Sequence, residues 1–193
     1  MCSFCNWRCC RIRRLRQRKS TMMPRHYVYL AGPGVFRHDA PEFSAGLKEL
    51  CQTHGLSALW PLDNTIEAVG RAAQAEAIRR ANEAMIRRAV AVIADISPFR
   101  GPNMDPGTAY EIGFALALEK PVFAYSTDRR SLLTRTVPAA GADGVARDEA
   151  GLLVEDFGLL ENLMIATAVA AVTHSAAAAI AACAAHLNAT QRG

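Results

Sequence analysis

The chain has 193 residues, 51% of them hydrophobic, which suits one domain with a sizeable core and excludes a disordered chain. Its formal net charge of +4 is an uneven average, because residues 1–23 carry seven basic side chains and no acidic one, leaving 15 basic against 18 acidic residues beyond them. That remainder, at about −3, offers no electrostatic case for nucleic-acid binding.

The leader, residues 1–23, holds Arg8, Arg11, Arg13, Arg14, Arg16, Arg18 and Lys19, together with Cys2, Cys5, Cys9 and Cys10. Thiolates at such short spacings suit zinc in principle, yet no second ordered ligand pair follows, so no metal site is expected. Without an apolar h-region the leader is not a secretory signal. It reads as a disordered extension or as a start assigned too far upstream, with Met22 and Met23 standing just before the first strand. A basic arm for nucleic acid or anionic lipid is the alternative. Cys51 and Cys183 lie far apart in the rest, which argues against a disulfide framework and for a reducing, cytoplasmic setting.

The domain is expected over residues 24–193. His26–Ala31, HYVYLA, is an aromatic and β-branched run ended by Gly-Pro-Gly, a strand entering a turn. Pro41–His54 has helical apolar spacing at Phe43, Leu47 and Leu50, with Gly55 as terminator. Leu56–Trp60 is a second strand stopped by Pro61, and Thr65–Arg88 is a helix rich in Ala, Glu and Arg. The continuous apolar run of Ala89–Ala94 predicts a central parallel strand covered on both faces. Residues 95–107 carry three prolines and two glycines and predict a loop, followed by a helix over Thr108–Glu119 and a strand over Pro121–Tyr125. Residues 126–150 predict an excursion with little regular structure.

Glu155–Leu187 is helical in pattern and very rich in alanine. Part of it is a candidate subunit interface, and the alternative is a final helix covering the sheet of its own chain. Its Thr167, Thr173, His174 and Ser175 argue against membrane insertion. Strands separated by helix-length segments predict an α/β domain with a parallel sheet and right-handed crossovers.

Ligands of such sheets bind beyond the carboxyl ends of the strands. The turn after the first strand, Gly32-Pro33-Gly34, has neither a dinucleotide fingerprint nor a P-loop; its glycines either let backbone approach a ligand or simply make the turn. Asp95, after the apolar run, is placed to bind or protonate a ligand, or to cap the next turn. Asp105 sits in a proline-bounded loop. Glu111 falls near the start of the following helix, where the helix dipole is expected to keep it ionised, as a nucleophile or cation-stabilising group requires.

Several segments together resemble the nucleoside 2-deoxyribosyltransferases over about residues 27–170: Tyr29–Phe36, Pro61–Asn64, Ala94–Ser97, Asp105–Ala115 (DPGTAYEIGFA), Lys120–Val122 and Glu161–Met164. The resemblance implies a flavodoxin-like parallel sheet of about five strands with helices on both faces, and homo-oligomers without metal or organic cofactor. It implies that Glu111 attacks the anomeric carbon of a deoxyribonucleoside and that Tyr29 holds that carboxylate. Asp95 would exchange a proton with the departing and incoming nucleobase, and Asp105 would bind sugar hydroxyls. Asn162 and Met164 match a segment donated across a subunit boundary. Gly32, Phe36 and Trp60 are further candidates for substrate contact, the two aromatic rings either stacking on a base or filling the core.

Two other readings compete. A hydrolase of deoxynucleoside 5-monophosphates would need phosphate contacts, whereas Gly34-Val35-Phe36 has no serine nearby and Asp105 would repel a phosphate. A nucleotide-sensing module without catalysis would share the sheet.

Overall fold

The computed structural model describes residues 26–137 and 144–190. The leader, with its cysteines, basic arm and alternative starts, lies outside them.

Strand β1 (His26–Ala31) leads through a short turn of 3-10 helix at Pro33–Phe36 into helix α1 (Ala40–Thr53) and strand β2 (Leu56–Leu59). Helix α2 (Arg71–Arg88) precedes β3 (Ala91–Asp95), and α3 (Pro106–Ala117) precedes β4 (Val122–Tyr125). The short helices α4 (Leu132–Thr136) and α5 (Leu163–Ala166) come next, then β5 (Ala171–Thr173) and α6 (Ala176–Thr190).

The strands pair in the order β2-β1-β3-β4-β5, all parallel, which is the flavodoxin-like winding. Strand alternation divides the core between two faces. Val28, Leu30, Ile93 and Phe123 point toward α1 and α6, where they meet Cys51, Ile180 and Cys183. Tyr29, Ala31, Val92 and Ala94 point the other way, against Ile86 of α2 and Ile112 and Ala115 of α3. Each fully buried aliphatic side chain contributes roughly 1.5–3 kcal/mol. This alternation puts Tyr29 on the same face of the sheet as Glu111.

Gly34 is fixed by packing. A Cβ there would lie 2.5 Å from the Phe43 ring and 2.9 Å from that of Trp60. The absent side chain lets these two rings meet edge to face at 6.2 Å between centroids. Trp60 is consequently 3% exposed and belongs to the core cluster on the α1 side. Of the two readings open to this ring, stacking on a base or filling the core, the packing favours the core.

The C-terminal third departs most from expectation. Glu155–Leu187 is not one helix. Residues 155–162 are irregular with bends, α5 is a single turn, and Ala171–Thr173 pairs with β4 as the fifth strand before Ser175 caps α6 through Ala178 N–H at 3.2 Å. Alanine's helix preference yields to the hydrogen bonds that the open edge of β4 offers. Ala179, Ile180 and Cys183 of α6 are fully buried against the sheet of their own chain. Among the described residues, no helix is long and apolar enough to cross a membrane.

Candidate active site

Tyr29, at the middle of β1, is fully buried, and its hydroxyl donates to Glu111 Oε1 at 2.5 Å. Burial first, and then the facing carboxylate, raise the phenol's pKa, so it stays a donor. Asn82 of α2 brings Nδ2 to 3.5 Å from the same oxygen. Among the described residues nothing donates to Oε2, which leaves one carboxylate oxygen free.

Burial pushes the pKa of Glu111 up to about 7; the Tyr29 hydrogen bond opposes the rise, the Asp105 charge adds to it, and Asn82 opposes it. The expectation of a carboxylate kept ionised by a helix start is therefore corrected. Helix α3 begins at Pro106, two residues earlier than its sequence pattern predicts, so Glu111 stands in the second turn. The dipole is felt mainly within the first turn, and desolvation outweighs it here.

Asp105 is the N-cap of α3, its Oδ2 accepting from Thr108 N–H at 2.8 Å and the Thr108 hydroxyl at 3.0 Å. Pro106 follows at the first helical position, where a missing N–H costs nothing. Oδ1 of Asp105 takes no hydrogen bond among the described residues. Glu111 and Asp105 line one cavity of about 510 Å³, together with Gly32, Phe36, Asn64 and Asn82.

Asp95, the last residue of β3, faces a neighbouring cavity of about 520 Å³ with Phe36, Ser97, Phe99, Tyr125 and Thr127. Its Oδ1 accepts from Ser97 N–H at 2.9 Å, so it caps the next turn while its carboxylate fronts the cavity. Burial, and secondarily Asp95, raise the pKa of Tyr125. Gly32 separates the two cavities at backbone level: its φ is +148°, and a Cβ would fall 2.7 Å from that of Asp95. Phe36 is their shared wall. It is 59% exposed, stacks on Phe99 at 5.3 Å between centroids, and carries the Arg100 guanidinium over its face. Thus the three acids lie along one rim but are divided between adjoining concavities, Glu111 with Asp105 in one and Asp95 in the other.

Asn162 and Met164 do not join Glu111 within this chain. Asn162 caps α5, its Oδ1 accepting from Met164 N–H at 3.0 Å and its Nδ2 donating to Glu155, and it lines a third cavity of about 500 Å³. Met164 is 70% exposed. Beneath them Glu161 is 2% exposed; it accepts from Asn162 N–H and Met104 N–H, both at 3.0 Å, and pairs with the buried Arg135 at 3.2 Å.

Sequence reasoning missed Asn82 and Arg135. Asn82 had a signal: a poor helix former on the i, i+4 row of Ile78 and Ile86. Arg135 had none, lying in a stretch that reads as irregular. Among the described residues no group of three His, Cys, Asp or Glu side chains could hold a metal ion.

Comparison with known proteins gives a consistent picture. The sequence model of the family described as nucleoside 2-deoxyribosyltransferase matches residues 28–164. An uncharacterized protein of Schizosaccharomyces pombe, C191.05c, is 32% identical over 155 residues, which make up 71% of this chain and 74% of that protein. The solved structure of a 2-desoxiribosyltransferase from Leishmania mexicana superposes with a TM-score of 0.69 at 36% identity, covering 83% of this chain and 98% of that one. A conserved protein from Enterococcus faecalis V583 superposes with a TM-score of 0.55 at 24% identity, over 81% of this chain and 95% of that one, a likeness of fold alone.

Proposed function

Because the chain belongs to the nucleoside 2-deoxyribosyltransferase family, we propose that it moves 2-deoxyribose between nucleobases through a covalent sugar ester on Glu111. One observation carries this reading. Glu111 is held through Oε1 by the Tyr29 hydroxyl, while Oε2 remains free beside a cavity of nucleoside size that Asp105 also lines.

In the first step Oε2 of ionised Glu111 attacks the anomeric carbon, and the bond from that carbon to the base nitrogen breaks. The electron pair leaves with the base, which takes a proton from Asp95. The transition state is oxocarbenium-like, and the Glu111 and Asp105 carboxylates stabilise its positive charge. In the second step a different base attacks the same carbon, passes its proton to Asp95, and releases Glu111. Two inversions give net retention. The arrangement of cavities supports this division of labour, with the sugar over Glu111 and Asp105 and the base beyond Phe36 toward Asp95. Asp105 Oδ1 is the acceptor available to a sugar hydroxyl, and Phe36 and Gly32 form the wall between sugar and base.

The site is shared between subunits of a homo-oligomer. Exposed Asn162 and Met164, fixed on a capped turn outside the lining of the cavity that holds Glu111, suit donation to a neighbour. The substrates are a deoxyribonucleoside and a free nucleobase, and the chemistry described needs no further cofactor. The closely matched Leishmania mexicana protein, by its name, supports deoxyribosyl transfer over hydrolysis.

Incubation with a deoxynucleoside and a different free base tests the reading. The swapped nucleoside is expected; free deoxyribose or its phosphate alone would assign a hydrolase, and no turnover would favour a sensing module. Co-expressed Glu111→Ala and Asn162→Ala chains, each inactive alone, should recover exchange in mixed oligomers. Failure to recover would place each site within one chain.

A further inference from the structure

We propose that Asn82 is a positioning residue for the nucleophile, its amide and the Tyr29 hydroxyl together fixing Glu111 Oε1 so that Oε2 faces the sugar carbon. The inference rests on the Glu111 reading above and adds a residue that the motifs do not mark. Tyr29 reaches Oε1 from β1 at 2.5 Å and Asn82 reaches it from α2 at 3.5 Å. A carboxylate held at one oxygen from two elements cannot twist part-way about its last torsion, turning the other oxygen off the sugar, without weakening both hydrogen bonds.

The cost of Asn82 to the fold argues that packing did not select it. Its Oδ1 is buried and has no hydrogen-bond partner among the described residues. A buried acceptor left unpaired destabilises, whereas an apolar side chain of the same shape would not. Asparagine is also a poor residue for a helix interior. Asn82 lies midway between Ile78 and Ile86 on the i, i+4 row of α2, where leucine would extend an apolar stripe. The side chain thus carries two penalties in exchange for one donor aimed at Glu111.

The groups facing Glu111 are few. Tyr29 comes from β1, Asp105 from the start of α3, and Asn82 from α2. The neighbouring charges of α2 are engaged elsewhere: Glu83 takes the Tyr110 hydroxyl at 2.6 Å and pairs with Arg79 and Arg87. Asp95, on β3, fronts the adjoining cavity. The two donors favour the ionised carboxylate, so loss of either raises the pKa of Glu111 further.

Asn82→Leu removes the donor and the orphaned acceptor together while keeping the same branched heavy-atom skeleton. Its melting temperature should equal or exceed that of the parent. In the base-exchange assay kcat should fall about three- to tenfold with KM little changed, and the acid limb of the rate profile should move upward. Asn82→Asp keeps the shape, loses the donor and adds a like charge, so its upward shift should be larger. The decisive readout needs no substrate: the 13C titration of the Glu111 carboxyl, assigned by its loss in Glu111→Gln, should move upward in both variants. An unchanged titration, or activity falling only with the folded fraction, would overturn the proposal. Absence of base exchange in the parent would instead refute the transfer reading, leaving the titration to judge Asn82.

Discussion

Glu111 weakens the protein that carries it. Its pKa rises from an ordinary 4.5 to about 7, burial being the main cause. Between those values the unfolded chain releases a proton that the folded chain keeps, so this group's contribution to stability falls as pH rises from about 4.5 to 7, then stays low. A shift of this size corresponds to roughly 3 kcal/mol at the alkaline end. Glu111→Gln, a neutral mimic of the protonated acid that can still accept from Tyr29, should therefore raise the melting temperature at pH 8. The gain should vanish below about pH 4.5, where both states are protonated. Equal melting curves at pH 8 would mean that the carboxylate is better solvated than its burial implies. The penalty has a chemical counterpart: a desolvated carboxylate is a stronger nucleophile once ionised, and stability is commonly sacrificed where activity needs a strained group.

At the scale of elements, the buried pair of Arg135 and Glu161 joins three segments: α4, the loop ending at Met104, and the turn that presents Asn162. Arg135 Nε and Nη1 have no partners among the described residues, so the pair is only partly satisfied. Breaking a buried pair from one side leaves an uncompensated charge and costs about 3–5 kcal/mol. Arg135→Met should lose stability on that scale in urea unfolding. Arg135→Met/Glu161→Met should recover only part, because Glu161 also accepts from two backbone N–H groups. A loss below about 1 kcal/mol in the single variant would show that water reaches the pair. Most of the sheet was legible without such long-range contacts. His26–Ala31 announces a strand because its aromatic and β-branched run is short and ends in Gly-Pro-Gly, and Ala89–Ala94 because its apolar run is short and continuous. Boundaries were less legible: α2 starts at Arg71 rather than Thr65, after Gly70 at φ +90°, and α3 starts at Pro106. The fifth strand was hidden because Ala171, Val172 and Thr173 are only three residues within an alanine-rich stretch, and β4 must be in place to pair with them.

For the whole molecule, the candidate site was legible in its acids and less so in its arrangement. Asp95, Asp105 and Glu111 could be placed on one rim because strand ends and a helix start fix them there. Their division between two cavities could not, since it depends on how Gly32 and Phe36 pack between loops distant in sequence. The protonation of Glu111 was misjudged for a related reason: a helix dipole can be counted along the chain, but desolvation comes from the sheet and from α2. The choice between core and base for Trp60 could not be read either, because its partner Phe43 lies on another element. What unites these parts is the claim that the freed oxygen of Glu111 bonds to the sugar. Acid quench of the enzyme mixed with a deoxynucleoside, followed by intact-mass measurement and peptide mapping, tests this directly. The account predicts a mass gain of one 2-deoxyribosyl group carried by the peptide containing Glu111, and none in Glu111→Ala. Base exchange without any adduct, or an adduct mapped to another residue, would contradict it.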